Sequence, residues 1–228
     1  TDLNRPHIGI ANTFSESSPA HIHLRPLVDA IKNAVWQAGG IPFEFGVPST
    51  CANVTIGKPC LSYDLVMRDI VAASVELVSS IQLFDGLVLT ASCDNIVPGM
   101  LLAATRLNIP SIIFTGGPML AGNLDGKKLL LGDVNEFVFG DVAKGGQDPD
   151  IISKKEEKAC PSFGACPLMG TANTMQILSE ALGLMLPGSS TIPGVLTDKF
   201  VSARRTGRRI VEMVLEGIKP SDIITRKS

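Results

Sequence analysis

Three of the five cysteines occupy positions where α/β proteins commonly place their chemistry. Cys51 follows a predicted second strand, and Cys93 directly follows the apolar run DGLVLTAS. Cys166 lies in the turn GACPLMGTANT, just before a predicted helix, where exposed N–H groups stabilise a thiolate. Ligands of open α/β sheets bind at the carboxyl ends of strands, so the three thiols are candidates for a metal or cluster site. The spacing contains no CxxC pair, and on spacing alone simple burial of the free cysteines is favoured over a metal or cluster site by about three to one.

Other polar or flexible residues have structural as well as functional interpretations. Cys60 and Cys160 lie at no predicted strand end, and we interpret both as structural. His21 and His23 could approach a substrate carboxylate, although a pair at a helix start more often caps the helix or lies at the surface. Gly116-Gly117 either presents backbone N–H groups to an anion or forms a tight turn.

Short β-branched apolar runs alternate with longer amphipathic stretches along the whole chain. The predicted strands cover 7–13, 41–48, 85–92 and 109–119. The predicted helices cover 24–38, 61–83, 97–108, 171–188 and 202–216, with shorter candidates near 134–143 and 154–161. Strands separated by helices imply right-handed βαβ units. We therefore predict an α/β fold, with a mostly parallel sheet and helices on both faces in three layers, α/β/α.

The same periodicity predicts helix faces and helix ends. The apolar side of helix 24–38 is predicted to be Leu27, Ile31, Val35 and Trp36, and that of helix 61–83 to be Leu65, Ile70, Ala73, Leu77 and Ile81. Helix 171–188 is expected to be capped by Thr171 or Asn173 and to stop at Pro187-Gly188. The last helix is expected to end at Gly217.

Composition restricts the classes of partner. The chain has 228 residues, of which 45% are hydrophobic and 18% charged, as expected for a globular protein with a sizeable core. A net charge of −2 with scattered Lys and Arg argues against a nucleic-acid partner, and the Arg204–Arg209 cluster is expected to be a solvated helix face. No apolar run approaches the roughly 20 residues that span a bilayer. The start lacks a signal-peptide layout, and the odd cysteine count favours a reducing, cytoplasmic setting.

Four long motifs resemble one enzyme family. They are SCDNIVPGML (92–101), GGPMLAG (116–122), ACPLMGTANTMQILSEALGLMLPGSS (165–190) and the opening segment at 12–45. Each looks like a signature of the dihydroxy-acid dehydratase and phosphogluconate dehydratase family, and the resemblance runs from about Arg5 to the last residue. It implies that residues 1–228 form an N-terminal iron–sulfur dehydratase domain, with the C-terminal domain absent from this chain.

The resemblance implies a concrete chemistry. The family removes water from a 2,3-dihydroxy acid or sugar acid and yields a 2-keto acid. Three cysteines hold an iron–sulfur cluster, [4Fe–4S] or [2Fe–2S], whose open iron acts as a Lewis acid on the departing hydroxyl. A Mg²⁺ ion grips the substrate carboxylate. The family's base, a serine, is expected outside this chain, and the resemblance also implies a homo-oligomer built on the family's dimer.

The ligand positions of the family map onto this sequence with one choice to make. Cys93 and Cys166 fall on two cluster-ligand positions. The dihydroxy-acid branch has its third cysteine where Ala20 stands here, whereas the phosphogluconate branch has it after the second strand, at Cys51. We therefore expect Cys51, Cys93 and Cys166 to bind the cluster.

The cation site departs from the family pattern. Asp94 matches a family Mg²⁺ ligand, but Ala52 and Asn95 replace two others, so Mg²⁺ binding is expected to be weak at best. Two alternatives to an active hydro-lyase follow. One is a non-catalytic relative that serves as a binding or assembly subunit, and the other is a small-molecule-binding α/β domain whose thiols are merely buried.

Overall fold

The computed structural model describes residues 3–142, 145 and 148–226. Four strands form one parallel sheet in the order β2-β1-β3-β4. They are β1 (His7–Asn12), β2 (Ile41–Gly46), β3 (Gly86–Ala91) and β4 (Ser111–Thr115). All four predicted strands are present, and β4 is shorter than predicted because the chain turns at Gly116, whose N–H donates to Ala91 O at 3.2 Å.

Helices cover both faces of the sheet. One face carries α1 (Leu24–Gln37) and α7 (Thr197–Glu216), and the other carries α2 (Met67–Gln82) and α3 (Ile96–Leu107). Along β3, the side chain of Val88 packs with α1 and α7, whereas Leu87 and Leu89 pack with α2 and α3. This period-two alternation between two apolar layers confirms the predicted three-layer α/β/α fold.

The remaining elements lie in two segments, one between β2 and α2 and the other after β4. They are a hairpin of β5 (Gly122–Leu124) and β6 (Lys127–Leu129), helices α4 (Leu131–Glu136), α5 (Pro149–Ala159), α6 (Thr171–Ala181) and α8 (Pro220–Ile223), a π-helical turn (Phe137–Val142), and two 3₁₀ helices (Ala52–Thr55 and Pro59–Asp64). The helix predicted near 134–143 is divided between α4 and the π-helical turn, and its last residue lies outside the described residues. Helix α5 starts earlier than predicted because the Asp148 side chain caps it.

The starts of α2 and α7 and the end of α6 also differ from the prediction, and α2 begins at Met67 rather than at residue 61. Helix α6 ends at Ala181 rather than near Gly188, because Gly183 adopts a φ of +80° and Leu184 then packs against the sheet. The carbonyl of Leu184 accepts a hydrogen bond from Ile113 N at 2.7 Å, which a continued helix would prevent. Helix α7 begins before the predicted residue 202 and ends, as predicted, at Gly217.

The predicted apolar side of α2 was wrong. The buried residues are Val71, Ala72, Val75 and Ser79, whereas Ile70, Leu77 and Ile81 are 47%, 63% and 73% exposed. Close contact with α3 explains the choice, because a Cβ added at Gly99 would lie 2.8 Å from the Val71 side chain. We refer to Ile70, Leu77 and Ile81 as the outer face of α2. In α1, Trp36 is likewise half-exposed instead of buried.

The outer side of α7 carries the arginine cluster. Arg204, Arg205 and Arg208 are exposed, as predicted for a solvated face. Arg209 forms ion pairs with Glu212 at 3.1 Å and with Glu216 at 2.9 Å. Across the described part of the chain, no helix has the length and apolar character that crossing a membrane requires.

Candidate functional site

A cavity of about 180 Å³ lies beyond the carboxyl ends of the central strands. Cys51, Cys93 and Cys166 all line it, each from a different loop. Cys51 follows β2, Cys93 follows β3, and Cys166 precedes α6. The structure therefore brings together the three cysteines that the sequence singled out, although they are far apart along the chain.

The Cys51 thiol is held in an environment that favours its ionised form. Cys51 immediately precedes the 3₁₀ helix Ala52–Thr55. A hydrogen bond from the Cys93 thiol, followed by those from the backbone N–H groups of Asn53 and Val54, lowers the pKa of Cys51 to about 7 despite partial burial. A thiolate is the form that binds metal, so Cys51 is available as a ligand near neutral pH.

Cys93 is the hydrogen-bond partner of Cys51. Its side chain is buried, and its thiol also lies 3.6 Å from Asp94 Oδ1. The hydrogen bond to Cys51, burial, and the nearby negative charges all raise the pKa of Cys93. Ionisation of one thiol of this pair therefore disfavours ionisation of the other.

The loop that carries Cys166 is fixed at both ends. On one side, Ala165 N donates to Gly117 O at 2.9 Å, and Met119 N donates to Ala165 O at 2.8 Å. On the other side, the Asn173 amide donates to the carbonyls of Cys166 at 2.9 Å and Leu168 at 2.7 Å. The sequence predicted Thr171 or Asn173 as the N-cap of α6. This prediction was wrong, because Gly170 occupies the N-cap position.

Burial raises the pKa of Cys166 to about 11, and the thiols of Cys51 and Cys160 act in the same direction. The side-chain amide of Asn53 opposes this shift by donating a hydrogen bond to the Cys166 sulfur at 2.7 Å. The first turn of α6, with Thr171 and Asn173, lines the same cavity. Its N–H dipoles favour negative charge on the sulfurs.

The Gly116-Gly117 turn serves packing. A Cβ at Gly116 would lie 2.4 Å from Ser92 Oγ, and one at Gly117 would lie 2.0 Å from Ile192 O. The Gly116 N–H donates to Ser92 Oγ at 2.8 Å as well as to Ala91 O, so it is already committed within the protein. Gly117 also has a φ of +82°, which favours glycine. The tight-turn interpretation is the correct one.

His21 and His23 are buried and lie neither at the surface nor against the cavity. The backbone N–H of Ser92 donates to His21 Nε2 at 3.1 Å, while His21 Nδ1 pairs with Ser18 Oγ at 3.0 Å. His23 Nε2 donates to Gly116 O at 3.0 Å. The two histidines thus support the loops that follow β3 and β4. The loop after β3 contains Cys93, and the loop after β4 is hydrogen-bonded to the Cys166 loop.

The predicted cation site is occupied by an internal network of hydrogen bonds. Asp94 lines the cavity, and its Oδ1 accepts from Asn95 N at 2.9 Å. The Asn95 side chain donates to Asp64 Oδ2 and accepts from Arg68 Nε at 2.7 Å. Thr50 Oγ1 donates to Asp64 Oδ1 at 2.8 Å, which links the Cys51 loop to the Cys93 loop.

These contacts do not fit Mg²⁺. Ala52 offers no oxygen in its side chain, and both ends of the Asn95 amide are engaged by protein groups. Asp94 alone is left, whereas Mg²⁺ needs an octahedral oxygen shell. Sequence reasoning missed the buried Asp64, because nothing in a predicted helix at 61–83 marks that one carboxylate as the partner of Asn95.

The two other cysteines are both exposed. Cys60 is exposed in the 3₁₀ helix Pro59–Asp64. Cys160 is exposed at the end of α5, and partial burial of its sulfur together with the charge of Cys51 raises its pKa. It is therefore within electrostatic range of the three-thiol cavity, which its place in the sequence did not indicate. Their structural interpretation stays a prediction.

A cluster and a single metal ion place different demands on their ligands. Within the residues that the structure describes, no group of three His, Cys, Asp or Glu side chains is arranged to hold one metal ion. An iron–sulfur cluster is bound by cysteine thiolates on different irons, so its ligands surround a cavity instead of converging on a point. Three thiols lining one cavity fit this requirement.

Comparison with known proteins gives one consistent result. A sequence model described as dihydroxy-acid/6-phosphogluconate dehydratase N-terminal matches residues 5–228. Relatives named dihydroxy-acid dehydratase match over 227 residues, 100% of this chain, with 43% identity in Desulfitobacterium hafniense, 46% in Halothermothrix orenii and 44% in Clostridium pasteurianum. The chain spans 40%, 41% and 79% of these three proteins, respectively. The chain belongs to the dihydroxy-acid/6-phosphogluconate dehydratase family.

Proposed function

We propose that the protein is a hydro-lyase that removes water from a 2,3-dihydroxy acid or sugar acid and yields a 2-keto acid. One observation carries this most directly. In a family whose relatives are named dihydroxy-acid dehydratase, Cys51, Cys93 and Cys166 come from three loops and line one cavity. The position at the carboxyl ends of parallel strands is where open α/β sheets bind their ligands.

In this proposal, Cys51, Cys93 and Cys166 hold an iron–sulfur cluster. When bound, such a cluster with an open iron supplies a Lewis acid for the departing C3 hydroxyl. The chain itself supplies a thiolate, stabilises negative charge and holds a ligand loop in place. The lowered pKa of Cys51 provides a thiolate, the N-terminal turn of α6 stabilises negative charge, and Asn173 fixes the Cys166 loop.

Turnover by the intact protein tests the activity. After anaerobic reconstitution with iron and sulfide, we expect 2-keto acid to form from a 2,3-dihydroxy alkyl acid or from an aldonic acid, measured with a carbonyl-specific hydrazine. Cys93→Ser should abolish this product, because it removes the buried thiol between Cys51 and Asp94. Equal turnover by Cys93→Ser would contradict the assignment.

A second candidate function is favoured by the internal network around Asn95. Since Asp64 and Arg68 engage the Asn95 amide and Ala52 lacks an oxygen, the protein would keep its cluster but lack a Mg²⁺ site. Such a relative would act as a binding or assembly subunit. A cluster-loaded protein that forms no 2-keto acid, with or without Mg²⁺, would favour this function over the hydro-lyase.

We also propose a cytoplasmic, reducing location and a homo-oligomeric assembly. All five cysteines are free, which suits a reducing compartment. The outer face of α2 leaves Ile70, Leu77 and Ile81 exposed, as expected of a surface that another chain or domain covers.

A further inference from the structure

We propose that Asn53 is a positioning residue of the thiol site, which ties the Cys51 loop to the sulfur of Cys166. That it also tunes a bound cluster rests on the function proposed above. Asn53 was not among the candidates from the sequence, because its partner is 113 residues away along the chain.

One residue contacts two of the three thiols. The side-chain Nδ2 of Asn53 donates to Cys166 Sγ at 2.7 Å, and its backbone N–H donates to the Cys51 sulfur. The two sulfurs belong to different loops, one after β2 and the other before α6. Asn53 therefore fixes the relative placement of Cys51 and Cys166 in a way that neither loop achieves alone.

Short-range contacts hold the backbone on both sides of Asn53. Asn53 lies in the 3₁₀ helix Ala52–Thr55, where Val54 N donates to Cys51 O at 3.2 Å and Thr55 Oγ1 donates to Ala52 O at 3.0 Å. In contrast, Asn173 contacts the backbone carbonyl of Cys166 and not its sulfur. Among the described residues, Asn53 is the only side chain that donates a hydrogen bond to the Cys166 sulfur.

A hydrogen bond to a ligand sulfur has two chemical consequences. It withdraws charge from the sulfur, so the more negative, reduced form of a cluster is stabilised and the reduction potential rises. It also orients the ligand before binding, and loss of such outer contacts typically costs about 10–100-fold in metal affinity. Asn53 is exposed, so its replacement should change these properties without disturbing the core.

The experiment compares Asn53→Ala and Asn53→Asp with Ile56→Ala as the matched control. Ile56 directly follows the same 3₁₀ helix, is 49% exposed and does not line the cavity. After anaerobic reconstitution, both Asn53 variants should lose the visible absorption of the cluster to a chelator roughly ten-fold faster than wild type. Their reduction potential should be more negative. Ile56→Ala should match wild type in both measurements.

A second measurement on cluster-free protein separates this proposal from the hydro-lyase function. Backbone amide exchange by mass spectrometry should be about five-fold faster in Asn53→Ala for the peptides that contain Cys51 and Cys166, because the connecting bond is lost. Unchanged exchange, or unchanged cluster loss in both Asn53 variants, would overturn the role of Asn53. A wild-type protein that takes up no cluster, combined with faster exchange in Asn53→Ala, would overturn the iron–sulfur function while supporting Asn53 as the residue that positions the two thiols.

Discussion

His21 lies fully buried beneath the loop that carries Cys93, with Ser92 N and Ser18 Oγ as its two partners. Desolvation, with a smaller contribution from the charge of His23, lowers the pKa of His21 to about 3. The folded protein therefore keeps this imidazole neutral at pH values where the unfolded chain protonates it. Neutral Nε2 is needed because it accepts the Ser92 N–H that orients the start of the Cys93 loop.

The pH dependence of folding should report this buried histidine. His21 has a pKa of 6.5 in the unfolded chain and of about 3 in the folded protein. Between these two pH values the unfolded chain is protonated and the folded protein is not, so the free energy of unfolding falls as the pH drops through this window. Between pH 7 and pH 5 the loss should be about 2 kcal/mol, measured by urea denaturation. In His21→Gln the decrease should be smaller. An unchanged decrease in the variant would show that other groups cause it.

The two site residues that sequence reasoning missed share one physical property. Asp64 and Asn53 bond to partners 31 and 113 residues away, and the strength of those contacts depends on the folded arrangement of loops. Neither lies in a motif or on an apolar stripe. The three cysteines could be predicted because strand ends and a helix start are local features of the sequence.

At the scale of elements, the layer formed by α1 and α7 depends on close approach of the two helices. A Cβ added at Gly207 in α7 would lie 2.5 Å from the carbonyl oxygen of Ile31 and 2.9 Å from the Ala34 Cβ of α1. Glycine weakens a helix interior by about 1 kcal/mol, so its presence here indicates that contact between helices outweighs helix propensity.

Gly207→Ala should therefore destabilise the protein by about 1–3 kcal/mol through overpacking. Gly132→Ala is the matched control, because Gly132 is also helical but a Cβ there would meet nothing within 4 Å. The control should be neutral or stabilising, by up to about 1 kcal/mol. Urea denaturation of both variants measures the difference, and equal stabilities would refute the role given to Gly207.

The sequence predicted elements well where burial and local propensity agree. Buried positions dominate β1, β3 and β4, and all four predicted strands of the sheet are present. The end of α6 was missed because the left-handed Gly183 and the contact of Leu184 with β4 are tertiary features. The buried face of α2 was missed because periodicity counts apolar residues and does not tell a core face from a surface that another molecule covers.

At the scale of the whole molecule, the described fold leaves the outer face of α2 exposed. Leu77 and Ile81 are 63% and 73% exposed on one helix, with Ile70 beside them. Contiguous exposed apolar surface on a soluble domain marks an interface or an aggregation site. The chain also spans only 40% or 41% of most relatives compared, so further protein surface exists in those relatives to cover such a face.

This face should make the isolated chain self-associate. Leu77→Lys combined with Ile81→Lys should raise the monomer fraction in sedimentation velocity, because two charges then oppose burial. Leu215→Lys is the control, since Leu215 is 74% exposed on α7, outside this face, and should leave association unchanged. A wild-type chain that is already monomeric would contradict the assignment of the outer face as an interface.

Three sulfur atoms must share one cluster if the chain has the chemistry proposed for it. The most direct measurement is the iron content and visible absorption after anaerobic reconstitution, for wild type, Cys51→Ser, Cys93→Ser and Cys166→Ser, with the exposed Cys60→Ser as control. We predict a brown wild type and a brown Cys60→Ser, and a large loss of iron in each of the other three variants. A colourless wild type, or full iron retention when any of the three cavity cysteines is replaced, would contradict this assignment.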